Sequence, residues 1–254
     1  MNQISVTILV KNSEETLENT LESVSSFTEV VLLDTGSTDD TLTIARKFPN
    51  VKIFSAPFQG FGKTHNTATS FASCDWILSL DSDEVLSQDL VAELHSKALD
   101  SQCVYSIRRR NFLYGKEMKT CSGWNPDWVV RLYNRKSTSF DQAEVHEKII
   151  QGSLRKEQLL YTMSHVPYRR ISDFLQKMQS YSDLFAKDHK GRRPSSMITA
   201  IFHGWMAFFK SYVLKRGFLQ GSEGFLISTY NGHTAFYKYL KLKEENAKNC
   251  DGQV

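Results

Sequence analysis

The stretch "WILSLDSDEVL" (76–86) decides the reading of this chain: an apolar run ends abruptly in Asp81, Asp83 and Glu84. A short, nearly continuous apolar run of this kind marks a strand covered on both faces. Carboxylates crowded at its end repel one another unless a cation stands among them. Side chains alternate along a strand, so Asp81 and Asp83 are expected to face one way and to share a divalent ion. Hard cations such as Mg²⁺ or Mn²⁺ take oxygen ligands, commonly one or two carboxylates together with substrate phosphates. The bland alternative is a solvated acidic loop that caps a helix beginning near Ser87.

Working outward, the same kind of run recurs upstream. "ISVTILV" (4–10), "EVVLLD" (29–34) and "VKIFSA" (51–56) read as strands. Between them, "SEETLENTLESVSS" (13–26) sets Leu17, Leu21 and Val24 on one helical face, with Asn12 and Glu15 forming a capping box. "STDDTLTIARKF" (37–48) and "KTHNTATSFAS" (63–73) read as two further helices. Strand and helix alternating in this way predict an α/β fold with a mostly parallel, doubly wound sheet, whose ligands sit beyond the carboxyl ends of the strands. "DTGSTDD" (34–40) and "DSDE" (81–84) occupy two such ends. Helix capping accounts for Ser37, Thr38 and Asp39. It leaves Asp34, whose burial at the end of an apolar run calls for a partner such as the imide N–H of a uracil ring.

Beyond residue 100 the order changes. "CVYSIRRRNFLYG" (103–115), "DWVVRLYNR" (127–135) and "EVHEKII" (144–150) read as strands without intervening helices, and the chain reads as helical from Ile171 onward. We therefore expect a sheet-bearing domain over 1–165 and a helical extension over 166–254. Charge divides in the same place: 17 Lys and Arg against 21 Asp and Glu before residue 166, and 14 against 7 after it. A basic second segment suits phosphate or an anionic membrane surface. The four cysteines are widely spaced with no C-x-x-C pair, which predicts neither a zinc site nor a disulfide framework and fits a reducing cytoplasm. No secretory leader and no stretch of about 18–20 apolar residues is expected.

"LSLDSDEV" (78–85) also satisfies the nucleophile motif of haloacid-dehalogenase-like phosphotransferases. That motif normally opens its fold, whereas here three strand–helix units precede it and no later G-D-x-x-x-D follows.

Taken together, "ILVKN" (8–12), "VLLDTGSTDDT" (31–41), "GFGKTHN" (60–66) and "WILSLDSDE" (76–84) resemble the nucleotide-sugar domain of glycosyltransferase family 2, which has the GT-A fold. The resemblance implies that Leu9 and Lys11 flank a base, that Asp34 bonds the uracil, and that Asp81 and Asp83 reach the ribose and a metal-bound diphosphate. Lys11 stands where many members carry tyrosine. His65 stands where Arg or Lys usually precedes the Asn, so the pyrophosphate contact falls to Lys63. "NPDWVVRLYNR" (125–135), "EVHEKI" (144–149), "SHVPYRR" (164–170) and "FFKSYVLKRGFLQGSEGF" (208–225) are similar to a bacterial branch that transfers glucose to the first heptose of the lipopolysaccharide inner core.

Such a reaction needs a carboxylate to take the acceptor hydroxyl's proton. Asp127 is the first candidate, in place of the family's usual Glu-Asp pair, and Glu147 the second; the plain alternative for Asp127 is a turn residue after proline. His146 and His165 are candidates for the metal shell or a phosphate contact, against a structural role. In the tail, Ile198, Ile201, Phe202, Trp205, Phe208, Phe209 and Tyr212 fall at helical spacing between basic flanks. Such a helix either lies in a membrane interface or packs on the catalytic domain; nothing resembles a nucleic-acid module.

The expectation is an inverting, Mg²⁺- or Mn²⁺-dependent hexosyltransferase that moves glucose from a UDP-sugar to a lipid-linked core saccharide on the inner face of the cytoplasmic membrane. A polyprenyl-phosphate or protein glycosyltransferase is the alternative enzyme. A non-catalytic, membrane-docking nucleotide-sugar-binding protein is the alternative from another class.

Overall fold

The computed structural model describes residues 2–143 and 147–250. They fall into two compact units: the chain up to Arg110 together with Asp127–His165, and Asn111–Pro126 together with the chain from Val166. The second unit thus takes in 111–126 as well as the helical tail.

In the first unit, β1 (Ile4–Val10), β2 (Glu29–Asp34), β3 (Val51–Ser55) and β4 (Trp76–Asp81) are the expected strands. They alternate with α1 (Leu17–Ser23), α2 (Thr41–Ala45) and α3 (Phe61–Ser70). The first four strands run parallel, β1 lying between β2 and β4 and β2 pairing with β3. After β4 come β5 (Glu84–Leu86), α4 (Gln88–Ser96), β6 (Cys103–Leu113), β8 (Asp127–Asn134) and β9 (Arg155–His165), while β7 (Lys116–Glu117) is a short strand on the end of β6. The order across the sheet is β3-β2-β1-β4-β8-β6-β9-β5. β8 pairs antiparallel with both β4 and β6, and β5 with β9, so a mixed half adjoins a parallel half.

Both faces of this sheet are covered, as the unbroken apolar runs require. Val30 and Leu32 of β2, Leu78 and Leu80 of β4, and Tyr105 and Ile107 of β6 join one buried cluster with Leu17 and Leu21 of α1. Their alternates Val31, Ile77, Val104 and Tyr133 join another with Phe140 and Ile149.

Three expectations are corrected. The helix after β1 begins at Leu17 without a side-chain cap. Asn12 adopts φ 53 and accepts the Thr38 amide at 2.8 Å, so it forms no capping box with Glu15. In "EVHEKII", residues 144–146 lie outside the described residues, and of the rest Ile149 makes only an isolated bridge to Phe140. The strand that does follow, β9, was not expected.

The second unit holds α5 (Ile171–His189), α6 (Met197–Phe209) and α7 (Gly221–Cys250). Helix begins at Ile171, as the sequence predicts. Its core gathers Leu113, Met118, Trp124, Tyr168, Phe174 and Ile227. After α6 the chain continues through one π-helical turn, Lys210–Leu214. That continuation makes Met197–Leu214 an 18-residue apolar helical stretch of mean hydropathy 1.2. The expectation that no stretch reaches a span's length and composition is therefore corrected: Lys210 is its sole charged residue, and the turn adds Val213 and Leu214. Cys74, Cys103 and Cys121 are not disulfide-bonded.

One buried acid ties the parallel strands together. Glu29, at the start of β2, accepts Ser5 Oγ of β1, the Ser73 amide at 2.7 Å and Lys52 Nζ of β3 at 2.8 Å. Burial alone raises its carboxyl, but Lys52, Ser5 and Ser73 outweigh this and bring it to about 2. A folded-state value below the unfolded one stabilises the protein above the unfolded pKa, and that contribution is lost as pH falls from about 4.5 towards 2. In urea titrations at pH 7, Glu29→Gln is expected to lower the unfolding free energy by about 2–3 kcal/mol, with the gap from wild type falling to roughly half or less by pH 3. An equal gap at both pH values contradicts this.

Candidate active site

The site is set by strand register. Across the sheet, Val10 of β1 pairs with Asp34 of β2, and Leu9 of β1 pairs with Asp81 of β4. Two acids thus stand at the carboxyl ends of strands flanking β1, which ends beside exposed Lys11. Asp34 is buried but satisfied: its carboxylate accepts the Gly36 amide at 3.2 Å and the Ser37 amide at 3.0 Å. Its burial therefore needs no external partner, which corrects that part of the argument; each oxygen still has a lone pair to offer.

Asp81 ends β4 as expected, and Ser82 and Asp83 form the turn into β5. Thr20 of α1 pins this turn by donating to the Ser82 carbonyl at 3.0 Å, and Ser82 Oγ reaches Ser13 Oγ at 3.0 Å. Asp83 meets His165, its Oδ2 lying 3.5 Å from the imidazole Nε2. His165 arrives there because β9 pairs antiparallel with β5, setting His165 opposite Glu84.

Behind Asp81 lies a cluster of charge that the sequence reading did not single out. Arg131, in the middle of β8 and almost wholly buried, donates from Nη2 to Asp81 Oδ2 and to Glu84 Oε1, the latter at 2.6 Å. Arg109 of β6 donates from Nη1 to the same Glu84 oxygen at 3.1 Å and from Nε to Asp127 Oδ2 at 2.9 Å. That last bond follows from the register, Arg109 standing directly across from Asp127. Glu84 is fully buried and also accepts the Asp81 amide at 3.1 Å.

The electrostatics follow from these contacts. Burial raises the Asp81 carboxyl, but Arg131 chiefly, with His65 and Arg109, holds it well below the usual carboxylate range. For Glu84 burial wins, with Asp81 adding to it, and the carboxyl is pushed up despite Arg131. Burial would lower Arg131, yet Asp81 and Glu84 keep it firmly cationic. Because the Asp81 side chain is still 40% exposed, its carboxylate is held from one side by arginine and open on the other.

The remaining candidates are distributed around this cluster. Lys63 is exposed on the first turn of α3. Gly62 beside it lets that helix approach the 141–143 segment, since a Cβ there would lie 2.0 Å from the Asp141 carbonyl oxygen. His65 is buried, stacks on Phe140 at 4.4 Å and sets Nδ1 3.2 Å from Ser79 Oγ. Burial brings it down to about 4, so it is neutral at ordinary pH. A neutral His65 leaves Lys63 as the charged group of the pair. Glu147 lies 3.9 Å from His65 Nε2, and its carboxyl is raised by burial. Asp127 is the first residue of β8. His146 lies outside the described residues.

Among the described residues, no group of three or more His, Cys, Asp or Glu forms a ready-made cation cage. The Asp83–His165 pair, with the open side of Asp81, nevertheless suits an ion that draws its other ligands from a diphosphate and water.

The family model for glycosyl transferase family 2 matches residues 5–164. The chain belongs to this family. Its mostly parallel sheet, with acids at the carboxyl ends, is the family's GT-A fold. An uncharacterized glycosyltransferase of Rickettsia typhi is 30% identical, over 98% of this chain and 89% of its own length. The lipopolysaccharide core biosynthesis glycosyltransferase LpsC of Rhizobium meliloti is 26% identical, over 96% and 93%. Among solved structures, S. aureus TarS in complex with UDP-GlcNAc aligns over 100% of this chain and 93% of its own at 13% identity and a TM-score of 0.47.

The arginine cluster can be tested directly. Stripping a buried charge of its partner typically costs 3–5 kcal/mol, and Glu84 is fully buried while Asp81 is partly open, so Arg131→Met is expected to destabilise the protein by about 3 kcal/mol in urea unfolding. Arg131→Met with Glu84→Gln is expected to recover part of the loss. Wild-type stability for Arg131→Met contradicts the cluster's role.

Proposed function

We propose that the chain is an inverting hexosyltransferase that uses a UDP-sugar, most simply UDP-glucose, and a divalent Mg²⁺ or Mn²⁺ ion. The observation that carries this reading is the register setting Asp34 and Asp81 on either side of the end of β1, in a chain of a family that transfers glycosyl groups. Leu9 and Lys11 then flank the uracil, with Asp34 accepting its imide N–H beside the two amides it already holds. Asp81 reaches the ribose with its open oxygen, and Lys63 contacts the pyrophosphate. Asp83 and His165, with Asp81, hold the ion. When bound, that ion offsets the negative charge growing on the leaving diphosphate.

The acceptor hydroxyl attacks the anomeric carbon on the face opposite the diphosphate, and Asp127 takes its proton. Arg109 supports this assignment: it fixes Asp127 Oδ2 at 2.9 Å while its Nη1 stands 3.8 Å from Asp81, so base and donor site share one guanidinium. Glu147 is the alternative base, since burial raises its carboxyl.

For the acceptor we propose a lipid-linked saccharide of the lipopolysaccharide core. The relative LpsC, aligned over nearly the full length of both chains, supports that choice. We further propose a peripheral protein on the inner face of the cytoplasmic membrane, held by its C-terminal helices. The support is in the second unit: Ile198, Ile201, Phe202 and Trp205 of α6 are exposed, and 14 Lys and Arg face 7 Asp and Glu beyond residue 165.

With UDP-glucose, Mn²⁺ and a core oligosaccharide, Asp83→Ala and Asp127→Asn are each expected to lower kcat by about 100-fold or more. Only Asp83→Ala should also weaken UDP binding. Full turnover in Asp83→Ala removes the metal assignment, and full turnover in Asp127→Asn with loss in Glu147→Gln moves the base to Glu147. No transfer by the wild-type chain to any saccharide, with UDP still bound, favours the non-catalytic reading.

A further inference from the structure

α6 and α7 enclose an open groove of about 280 Å³, walled by Ile201, Trp205 and Phe208 on one helix and Gly232, His233 and Phe236 on the other. Its floor is the closest approach of the two helices. Gly204 lacks a Cβ there, and one would lie 3.0 Å from Phe236 Cβ and 3.1 Å from the Gly232 carbonyl oxygen. Above that floor the groove is open. The polar side-chain groups of its lining are the Thr229 hydroxyl, the His233 imidazole and the Trp205 indole N–H, and the Thr229 hydroxyl is buried without a hydrogen-bond partner. A sugar or a phosphate would find few partners there for its many polar groups. Its walls suit a hydrocarbon chain.

The surroundings indicate which hydrocarbon. From residue 189 to 222 the sequence contains no Asp or Glu but carries Lys190, Arg192, Arg193, Lys210, Lys215 and Arg216. Beyond the Phe208 end of the groove, Lys210, Lys215 and Arg216 are exposed, and Val213, Leu214, Phe218 and Leu219 stand exposed among them. Lys215 lies roughly 10 Å along the helix from Phe208. Exposed apolar side chains interleaved with cations complement a surface that is itself part hydrocarbon and part phosphate.

We propose that this groove takes one acyl chain of an anionic bilayer phospholipid, whose phosphate meets Lys210, Lys215 and Arg216. The proposal deepens the membrane-surface part of the proposed function and is independent of which sugar is transferred. Lipid binding thereby becomes a seated contact with one chain, beyond the general attraction of a basic surface.

The test uses the full chain and vesicles of phosphatidylglycerol and phosphatidylcholine carrying bromine at mid-chain. Trp205, on the groove wall, reports the bromine by fluorescence quenching, and Trp205→Phe supplies the background from the other tryptophans. The expected result is a roughly twofold loss of the Trp205 emission with brominated anionic vesicles and none with unbrominated ones. Ile201→Asp, a change at an exposed position, should abolish the quenching, and Lys210→Ser with Lys215→Ser and Arg216→Ser should weaken vesicle binding itself. Vesicle binding without quenching of Trp205 overturns the proposal, as does equal quenching by vesicles of phosphatidylcholine alone. It is also overturned if Trp205 is shielded from aqueous iodide in a lipid-free dimer that Ile201→Asp dissociates, because a second copy then covers the groove. Transfer to a soluble oligosaccharide is followed in parallel: its absence alongside intact quenching faults the catalytic reading alone.

Discussion

The contact on which the site depends is the Arg131 guanidinium held between Asp81 and Glu84. Burying the Arg131–Glu84 pair is costly, and such clusters add little net stability over an apolar core of the same volume. What the cluster provides is geometry. Glu84 is fully buried and grips Arg131, Arg109 and the Asp81 amide at once. Asp81 is thereby fixed at the strand tip with one oxygen committed to arginine, and Asp127 is tied to the same cluster through Arg109. A donor-side acid and the proposed base are set by one continuous chain of charge-assisted hydrogen bonds, which are the stronger and more directional kind.

This arrangement requires the mixed half of the sheet. A parallel half alone delivers Asp34 and Asp81 to neighbouring strand ends, as the register around β1 makes plain. The arginines come from β6 and β8, and His165 from β9 against β5. The antiparallel strands thus supply counter-charge and an imidazole to the acids at the end of the parallel strands. Most of the side chains involved sit on regular strands, where flanking packing limits their freedom, and the turn bearing Asp83 is pinned from α1 by Thr20.

The parallel half was legible because its signals are local. An apolar run ending in a carboxylate is visible in the sequence at Asp34 and at Asp81, and the alternation of strand and helix carries the fold. The cluster was less legible because its ion pairs join residues 18 to 50 positions apart. One sign was present: a lone arginine between Val130 and Leu132 in an apolar strand cannot be buried without a carboxylate. β9 escaped notice because its buried residues, Leu159 and Met163, stand four apart, a helical spacing, while Leu160 between them is exposed. Asn12 matched the start of a capping box, but a left-handed backbone there turned its side chain to Thr38. That His65 breaks the family's basic pattern was visible in the sequence, whereas its burial against Ser79 and Phe140, which keeps it neutral, depends on residues 14 and 75 positions away.

The central claim is that acids at the end of β4 engage a nucleotide diphosphate by way of a divalent ion. Isothermal calorimetry of UDP against the wild-type chain, with Mn²⁺ present and again after chelation, addresses it most directly. The account predicts UDP affinity at least tenfold greater with the ion, about 1.4 kcal/mol or more. Equal UDP affinity in the two conditions contradicts it.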